Sequence, residues 1–447
     1  MKIDVEKLVI RGQRKLTGEV SVSGSKNVAL KALVAACLTD EEVVIENVPL
    51  ITDFMIMADI ISEIGGEVKL VDHAVKIRIK KINSERITLE KAAEIRTSFM
   101  FLAPLLARAK KAIIPNPGGC RIGARPIDRI VEGLKKMGTE IDYDREDGYF
   151  HAEVGQKGLQ GAKYRFIKST HTGTETMILA AVLAKGTTIL ENAGQEPEID
   201  ELINFLNKMG AKIKRTNNRT IVIEGVKKLH GTTFRINPDR NEVVTFAIAG
   251  IITEGDVFIK NIDKTGIVEF LRQLKVAGGG YEEKENGIRF FYKGKLKPTN
   301  ITTNFYPGFM TDWQGPWTVL MTKANGTSVM HETVYENRFT YIDELEKMGA
   351  KIKLYNPKID EPEKLYNFNI HDDNDYFHAA KIYGPRRLHN GILNVSDLRA
   401  GATLVLAALA AKGESVIFGL EHLDRGYEQF VQRLKKIGAN IERTNHE

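Results

Sequence analysis

Hydrophobic and polar positions along this chain recur as one short phrase: an apolar residue, a glycine, then a tail in which charged and apolar residues alternate. It occurs as EIGGEVKL around Gly65, KKMGTEIDY around Gly138, NKMGAKIKR around Gly210, KVAGGGYEE around Gly278, EKMGAKIKL around Gly349 and KKIGANIER around Gly438. Successive glycines are 73, 72, 68, 71 and 89 residues apart. A second phrase runs ahead of it, KGTTILEN at Gly186, EGDVFIKN at Gly255, NGTSVMHE at Gly326 and KGESVIFG at Gly413, leading the first by 24, 23, 23 and 25 residues. A fixed offset between two patterns is the mark of a structural repeat.

Each unit reads in the same way. The KGTTILEN type of phrase alternates like a strand leaving a glycine turn. Leu202, Phe205, Leu206 and Met209 then follow at i, i+3, i+4 and i+7, the spacing of one helix face. Gly210 stands where a left-handed helix cap belongs, and Lys212-Ile213-Lys214 alternates like a half-exposed strand. A second helix, alanine-rich and apolar nearly all round, precedes the strand phrase, as at Met177–Ala184 and Ala402–Ala411, and such helices belong inside a core. Six α/β units of about 70 residues predict two domains of three units, with helices inside and mixed sheets outside. The last interval is roughly 18 residues longer than the one before it, and the excess is read as a surface segment inserted over residues 355–385.

Bulk composition narrows the class. The 447 residues exceed one ordinary core, and 43% hydrophobic with 27% charged residues is globular composition. A net charge of +6 is spread without a basic block, which speaks against nucleic acid as a partner and suits a small polyanionic substrate. Only two cysteines occur, Cys37 and Cys120, as in a reducing compartment. The opening MKIDVEKLVIRGQRK has no apolar signal core, and no apolar run is long enough to span a bilayer. The expectation is a cytoplasmic protein, a monomer or weak oligomer, that works without a membrane.

Two stretches carry chemistry. In GGCRIGARP, Cys120 follows Gly118-Gly119 and stands near Arg121 and Arg125, so the loop is cationic and its thiol is open to thiolate formation. In SGSKN, Lys26 opens an apolar helix directly after Gly24-Ser25, which puts an ammonium beside a helix N-terminus, where anions are stabilised. Both point to an anionic substrate. His371–Asp375 in the inserted segment has ligand-type side chains, but reads as a solvated acidic loop, and neither a metal nor a cofactor is expected.

With these residues in view, the chain resembles the enolpyruvyl transferases, the family of the UDP-N-acetylglucosamine 1-carboxyvinyltransferases and the 5-enolpyruvylshikimate-3-phosphate synthases, over nearly its whole length. The carriers are SGSKNVAL (23–30), RTSFMFLAPLLAR (96–108), PGGCRIGARPID (117–128), ENAGQEPEI (191–199), YPGFMTDWQ (306–314), ETVYENRF (332–339), SDLRAGATLVLA (396–407) and HLDRGYE (422–428), in the family's order. The cysteine loop and the EPEI phrase resemble the UDP-sugar branch. The resemblance implies an α/β fold of two inverse α/β barrel domains built from six repeated βαβαββ units. One domain would hold 1–22 plus 237–447 with the base and C-terminal arginines, the other 23–236 with the cysteine loop and Lys26.

It also implies a reaction, transfer of the enolpyruvyl group of phosphoenolpyruvate (PEP) to the 3′-hydroxyl of UDP-N-acetylglucosamine with loss of phosphate, an early step of cell-wall precursor synthesis. By resemblance Cys120 is the acid that protonates C3 of PEP or assists phosphate departure, Asp312 the carboxylate that takes the hydroxyl proton, and Lys26 and Arg425 catalytic cations. PEP would meet Lys26, Asn27, Arg96, Arg125, Arg399 and Arg425. The UDP-sugar would meet Asn27, Arg96, Arg125, Pro126, Ile127, Asp128, Arg129, Lys168, Thr170, Asp312, Tyr335 and Arg338. Asp397 matches a carboxylate near the cysteine.

Three places depart from the family pattern: Arg129-Ile130 where Leu-His is usual, His171 in a run usually written Ser-Val-Gly-Ala-Thr, and Trp313 where Met is usual. All three are expected on the acceptor side, so another acceptor (a different uridine nucleotide or shikimate 3-phosphate) and a non-catalytic UDP-sugar-binding paralogue stand as alternatives.

Overall fold

The computed structural model describes residues 6–119, 122–123, 127–262, 264–370 and 376–444. Cys120, Arg121, Arg125, Pro126 and His371–Asp375 lie outside the described residues. The chain gathers into two compact units, one of Met1–Ser23, Cys120–Arg125 and Pro238–Glu447, the other of Gly24–Gly119 and Pro126–Asn237. Each has its own apolar core.

The six phrases become six small sheets, three to each unit. Lys163–Arg165, Thr187–Glu191, Lys212–Asn217 and Thr220–Glu224 show the pattern. The first two strands run parallel, joined by the helix His171–Ala181. The helix Pro197–Lys208 then leads into an antiparallel hairpin that pairs back onto the second strand. This is the βαβαββ unit. All six tail glycines have left-handed φ, from +82° at Gly278 to +101° at Gly65, a conformation that costs a residue with a Cβ.

The helices that precede the strand phrases are wholly buried over most of their length. In the larger unit Arg240–Ile252, Gln314–Met321 and Leu398–Ala410 present no exposed side and pack on one another. In the other, Lys26–Ala36, Leu102–Ala109 and His171–Ala181 are the counterparts. The strands show one buried and one exposed face, so the sheets form the outer layer.

Two sheets of the larger unit are completed from far away in sequence. Lys7–Arg11 lies between Glu414–Phe418 and Asn440–Thr444, and Thr17–Ser21 runs parallel to Asp256–Lys260. In the other unit Thr233–Arg235 runs parallel to Val43–Glu46. The segment after Ile352–Tyr355 joins that strand to its antiparallel partner Ala379–Tyr383, and holds a short helix, Pro362–Leu365. No helix among the described residues is long and apolar enough to cross a membrane.

Candidate active site

In the larger unit several of the candidate side chains gather where two buried helices begin. Thr311–Trp313 form a single 3-10 turn ahead of the helix Gln314–Met321, which leaves Asp312 at its mouth with 27% of its side chain exposed. One oxygen of Asp312 receives Arg338 Nη2 at 2.9 Å and Arg399 Nε at 3.2 Å. Burial alone would raise the Asp312 pKa, but Arg399 and then Arg338 outweigh it and hold the carboxyl at about 2. Arg399 sits in the first turn of its helix, and Asp397 caps that helix by accepting from the Arg399 and Ala400 N–H groups at 2.9 and 3.2 Å. The same Asp397 lies 3.5 Å from Arg338 Nη1.

Behind this pair stands a layer that fixes it. Glu332 is fully buried, accepts from Thr311 Oγ1 at 2.9 Å and from the Val334 and Tyr335 N–H groups at 2.8 and 3.1 Å. Burial raises its pKa against the pull of Arg338. Thr311 Oγ1 in turn accepts from Arg338 Nε at 3.2 Å. The Tyr427 hydroxyl accepts from Arg399 Nη1 at 3.2 Å and lies 2.9 Å from Thr245 Oγ1. Tyr335 is half-buried with its ring 5.9 Å from the Arg338 guanidinium. Arg425 is half-buried at the C-cap of the short helix Leu420–Asp424. The unit thus brings together Asp312, Tyr335, Arg338 and Arg399 of the sequence expectations.

In the other unit, Ser25 caps the helix that Lys26 opens. Lys26 Nζ lies 2.7 Å from Asp53 Oδ2, a carboxylate in the first turn of Thr52–Glu63 that is itself buried. Asn27 is half-buried beside it. Arg96 begins a 3-10 turn, and Gly118 and Gly119 pack on this stretch. A Cβ on Gly118 would stand 1.7 Å from the Ala93 carbonyl, and Gly119 has φ +104°, so the glycine pair ahead of Cys120 answers a close approach and a left-handed turn. Ile127 and Asp128 begin the helix Asp128–Lys136, with Arg129 half-buried and its carbonyl taking the Tyr164 hydroxyl at 2.9 Å. Lys168 is half-exposed, and Thr170 caps His171–Ala181 by accepting from the Gly173 N–H at 3.2 Å.

The departures from the family pattern separate. Trp313 and Ile130 are core side chains, 1% and 5% exposed, which corrects their expected place on the acceptor side. Trp313 packs edge-on against Phe270 and Phe309 and donates its indole N–H to Asn241 Oδ1 at 2.9 Å. His171 remains partly open, with Nε2 3.1 Å from Glu175 Oε1, and the other Glu175 oxygen is 3.4 Å from Lys31 Nζ. Burial would lower the His171 pKa, yet Glu175 holds it above its usual value.

Asp53, Glu332, Tyr427 and the Lys31–Glu175 pair were not legible as site residues. Lys31 left one signal, a charge inside the otherwise apolar run 28–37. A cation could reach one group of carboxylate and imidazole side chains among the described residues, Asp144, Asp147 and His151. It lies on an exposed hairpin and His151 already pairs with Asp147 at 3.0 Å.

The comparisons agree with this architecture. The profile of the EPSP synthase family (3-phosphoshikimate 1-carboxyvinyltransferase) matches residues 10–434. UDP-N-acetylglucosamine 1-carboxyvinyltransferases of Koribacter versatilis and Bartonella quintana are each 40% identical to the chain. They align over 98% of it and over 96% and 99% of their own lengths. The one numbered 2 of Carboxydothermus hydrogenoformans is 39% identical over 99% of the chain and 100% of its own length. Among solved structures, the enolpyruvyl transferase NikO from Streptomyces tendae superposes with a TM-score of 0.86 at 23% identity, covering 100% of both chains. An EPSP synthase from Acinetobacter baumannii superposes with a TM-score of 0.72 at 19% identity, over 98% of this chain and 100% of its own. Profile and relatives both run almost end to end along the sequence, and the chain belongs to the EPSP synthase family of enolpyruvyl transferases.

Proposed function

We propose that this protein transfers the enolpyruvyl group of PEP to the 3′-hydroxyl of UDP-N-acetylglucosamine and releases phosphate, the first committed step toward peptidoglycan precursors, in the cytoplasm. The relatives at about 40% identity carry that activity in their names. The observation that carries the reading is Asp312, one carboxylate oxygen shared by Arg338 and Arg399 at the open end of a 3-10 turn. Such a cluster offers a proton acceptor and two planar cations that can each grip a carboxylate or phosphate edge.

The chemistry assigns work to each group. A proton goes to C3 of PEP while the sugar oxygen bonds to C2, and the hydroxyl proton passes to Asp312. The tetrahedral adduct then returns a proton from C3 to the group that donated it and expels phosphate, which leaves the enolpyruvyl group as an ether on the sugar oxygen. Cys120 is the acid of the reaction, serving C3 of PEP or the departing phosphate. Lys26 and Arg425, with Arg125 and Arg96, offset the phosphate and carboxylate charges of PEP. Arg129, Lys168 and Thr170 hold the nucleotide, and Tyr335 and Arg338 flank the acceptor hydroxyl. Lys26 is engaged by Asp53, so PEP phosphate must share its ammonium with that carboxylate.

Phosphate release from PEP, measured with UDP-N-acetylglucosamine, other uridine nucleotides and shikimate 3-phosphate in parallel, tests the reading. Turnover with UDP-N-acetylglucosamine well above the rest supports it. No release with that acceptor overturns it, and binding of the UDP-sugar without release from any acceptor would identify a non-catalytic relative. Cys120→Ser should cripple turnover and abolish labelling by an epoxide phosphonate such as fosfomycin while sparing substrate binding. Cys120→Asp should keep turnover, since the step needs an acid.

A further inference from the structure

Glu201 lies within the helix Pro197–Lys208, 9% exposed, and no step of the proposed reaction uses it. Its Oε1 accepts the Asn237 N–H at 2.8 Å. Asn237 is the residue at which the chain leaves this unit. Pro238 follows, and a proline confines the residue before it to the extended region, so a tie on the Asn237 N–H also orients its carbonyl. That carbonyl accepts the Ser25 N–H at 2.8 Å. Ser25 is the N-cap of Lys26–Ala36, its hydroxyl accepting from the Val28 N–H at 3.4 Å. Successive hydrogen bonds thus lead from the Glu201 carboxyl to the turn that Lys26 opens.

The surroundings leave this path little freedom. Asn47 Nδ2 donates to the Ile236 carbonyl at 2.8 Å, and a Cβ on Gly24 would stand 1.8 Å from the Asn47 carbonyl oxygen. A carboxylate is a costly choice for such a place. Burial pushes the Glu201 pKa up to about 7 against the pull of the Asn237 N–H, and Glu198 on the same helix adds a like charge. With the folded pKa above the unfolded value near ~4.3, stability present below that value is lost as pH rises through about 7. A neutral amide oxygen would accept the same N–H without this cost. What the carboxylate adds is a charge-assisted bond, shorter and stronger than a neutral one.

An open groove lined by Glu201, Lys208, Phe234 and Arg235 gives the carboxyl access to protons from solvent. Of its cations, Arg235 lies 3.7 Å from Glu46, and Lys208 lies over the Phe234 ring. On the helices packed against Pro197–Lys208, Lys26 is held by Asp53, and Lys31 and His171 by Glu175. On the adjoining strand Lys212–Asn217, Arg215 pairs with Asp200 while Lys212 and Lys214 are exposed.

We propose that Glu201 is a positioning residue for Lys26: by holding the Asn237 N–H, it fixes the carbonyl to which Ser25, the cap of the Lys26 helix, is tied. The inference rests on the reading of Lys26 as a cation that meets PEP.

The test compares the parent, Glu201→Gln and Asn204→Ala on the full chain. Glu201→Gln keeps an acceptor oxygen but cannot ionise. Asn204→Ala changes an exposed side chain of the same groove and should match the parent throughout. At about pH 6 the kcat/KM for PEP should be alike in parent and Glu201→Gln. At about pH 8 the parent should lead by about fivefold, the margin of a charged over a neutral hydrogen bond. In isotope-labelled parent protein the amide proton resonances of Asn237 and Ser25 should both titrate with a midpoint of about 7, and in Glu201→Gln neither should. Because ionised Glu201 costs stability, the urea midpoint of Glu201→Gln at about pH 8 should equal or exceed the parent's, so loss of fold does not account for the lower kcat/KM.

A Ser25 resonance that stays flat while that of Asn237 moves overturns the proposal, because the link then ends at Asn237. So does a Glu201→Gln protein whose kcat/KM tracks the parent at both pH values. If Glu201→Gln does not fold, the two resonances of the parent decide alone. Parent protein that transfers no enolpyruvyl group defeats the functional reading instead, and the paired titration still decides whether Glu201 governs the cap of the Lys26 helix.

Discussion

As the proposed base, Asp312 has too little basicity while both arginines hold it. A carboxylate held at a pKa of about 2 by Arg399 and Arg338 has little drive to take a proton from a sugar hydroxyl. Anionic PEP drawing on those arginines would loosen their hold and raise that pKa in the complex. The acid limb of the kcat profile should therefore lie at higher pH than that of kcat/KM, which reports free enzyme. Asp312→Asn should cost about 10²–10⁴ in kcat. The linkage has a definite sign. A depressed folded pKa stabilises the protein fully above the unfolded value near ~3.9, and that stability is lost as pH falls through about 2. The stability gap between parent and Asp312→Asn, followed by urea midpoints, should narrow over that window. Cys37 gives a second residue-scale expectation. Burial pushes its thiol up to about 12, and Sγ lies 3.3 Å from the Leu33 carbonyl. Iodoacetamide should leave Cys37 unlabelled in native protein and label it after denaturation. The sequence made Asp312, Arg338 and Arg399 visible because each sits in a recognisable phrase. It hid Asp53, which lies in none of those phrases, and also Glu332 and Tyr427, which lie in two of them but act through partners on other elements. Trp313 misled because it adjoins Asp312, yet one step around a 3-10 turn is enough to send a side chain into the core.

At the scale of elements, alternation and helical spacing located most of the repeat. The strand phrases became Thr187–Glu191, Asp256–Lys260, Thr327–His331 and Glu414–Phe418. The alanine-rich runs became the buried helices His171–Ala181 and Leu398–Ala410. What stayed hidden was the first strand of four of the units. Lys163–Arg165, Thr233–Arg235, Asn300–Thr302 and Ile392–Asn394 are three residues each, too short for a period, and are strands only because a parallel neighbour pairs with them. The phrase glycines also serve different ends. Gly186 has φ +96° with open space where a Cβ would go. At the matching turn Glu254 takes the left-handed place at φ +57°, while a Cβ on Gly255 would stand 2.0 Å from the Leu16 carbonyl. Gly186→Ala should therefore cost only the left-handed backbone, about 1–2 kcal/mol. Gly255→Ala must push the strand Thr17–Ser21 away from its partner and should cost more. Urea midpoints of the two variants against the parent measure the difference.

At the scale of the molecule, the six sheets divide unevenly between continuous and borrowed strands. Residues 24–237 hold all the strands of three sheets, including Thr233–Arg235, which closes the first of them, and one apolar core drawn from that range alone. Residues 238–447 hold only one complete sheet. Without Lys7–Arg11 the strands Glu414–Phe418 and Asn440–Thr444 have no neighbour between them, and without Thr17–Ser21 the strand Asp256–Lys260 has a bare edge. Leu8, Ile10, Leu16 and Val20 would also be missing from the core. At about 1.5–3 kcal/mol for each buried aliphatic side chain, that loss is comparable to the whole stability of a domain. A fragment of residues 24–237 is therefore expected to fold alone, with a cooperative urea transition and a dispersed amide NMR spectrum. The loop bearing Cys120 lies within it but is not needed for its core. A fragment of residues 238–447 should stay unfolded or aggregate by itself, and should gain a cooperative transition when a peptide of residues 1–23 is supplied. Cooperative folding of 238–447 without the peptide would show that the two borrowed strands are dispensable, and would move the weight of that unit onto its three buried helices.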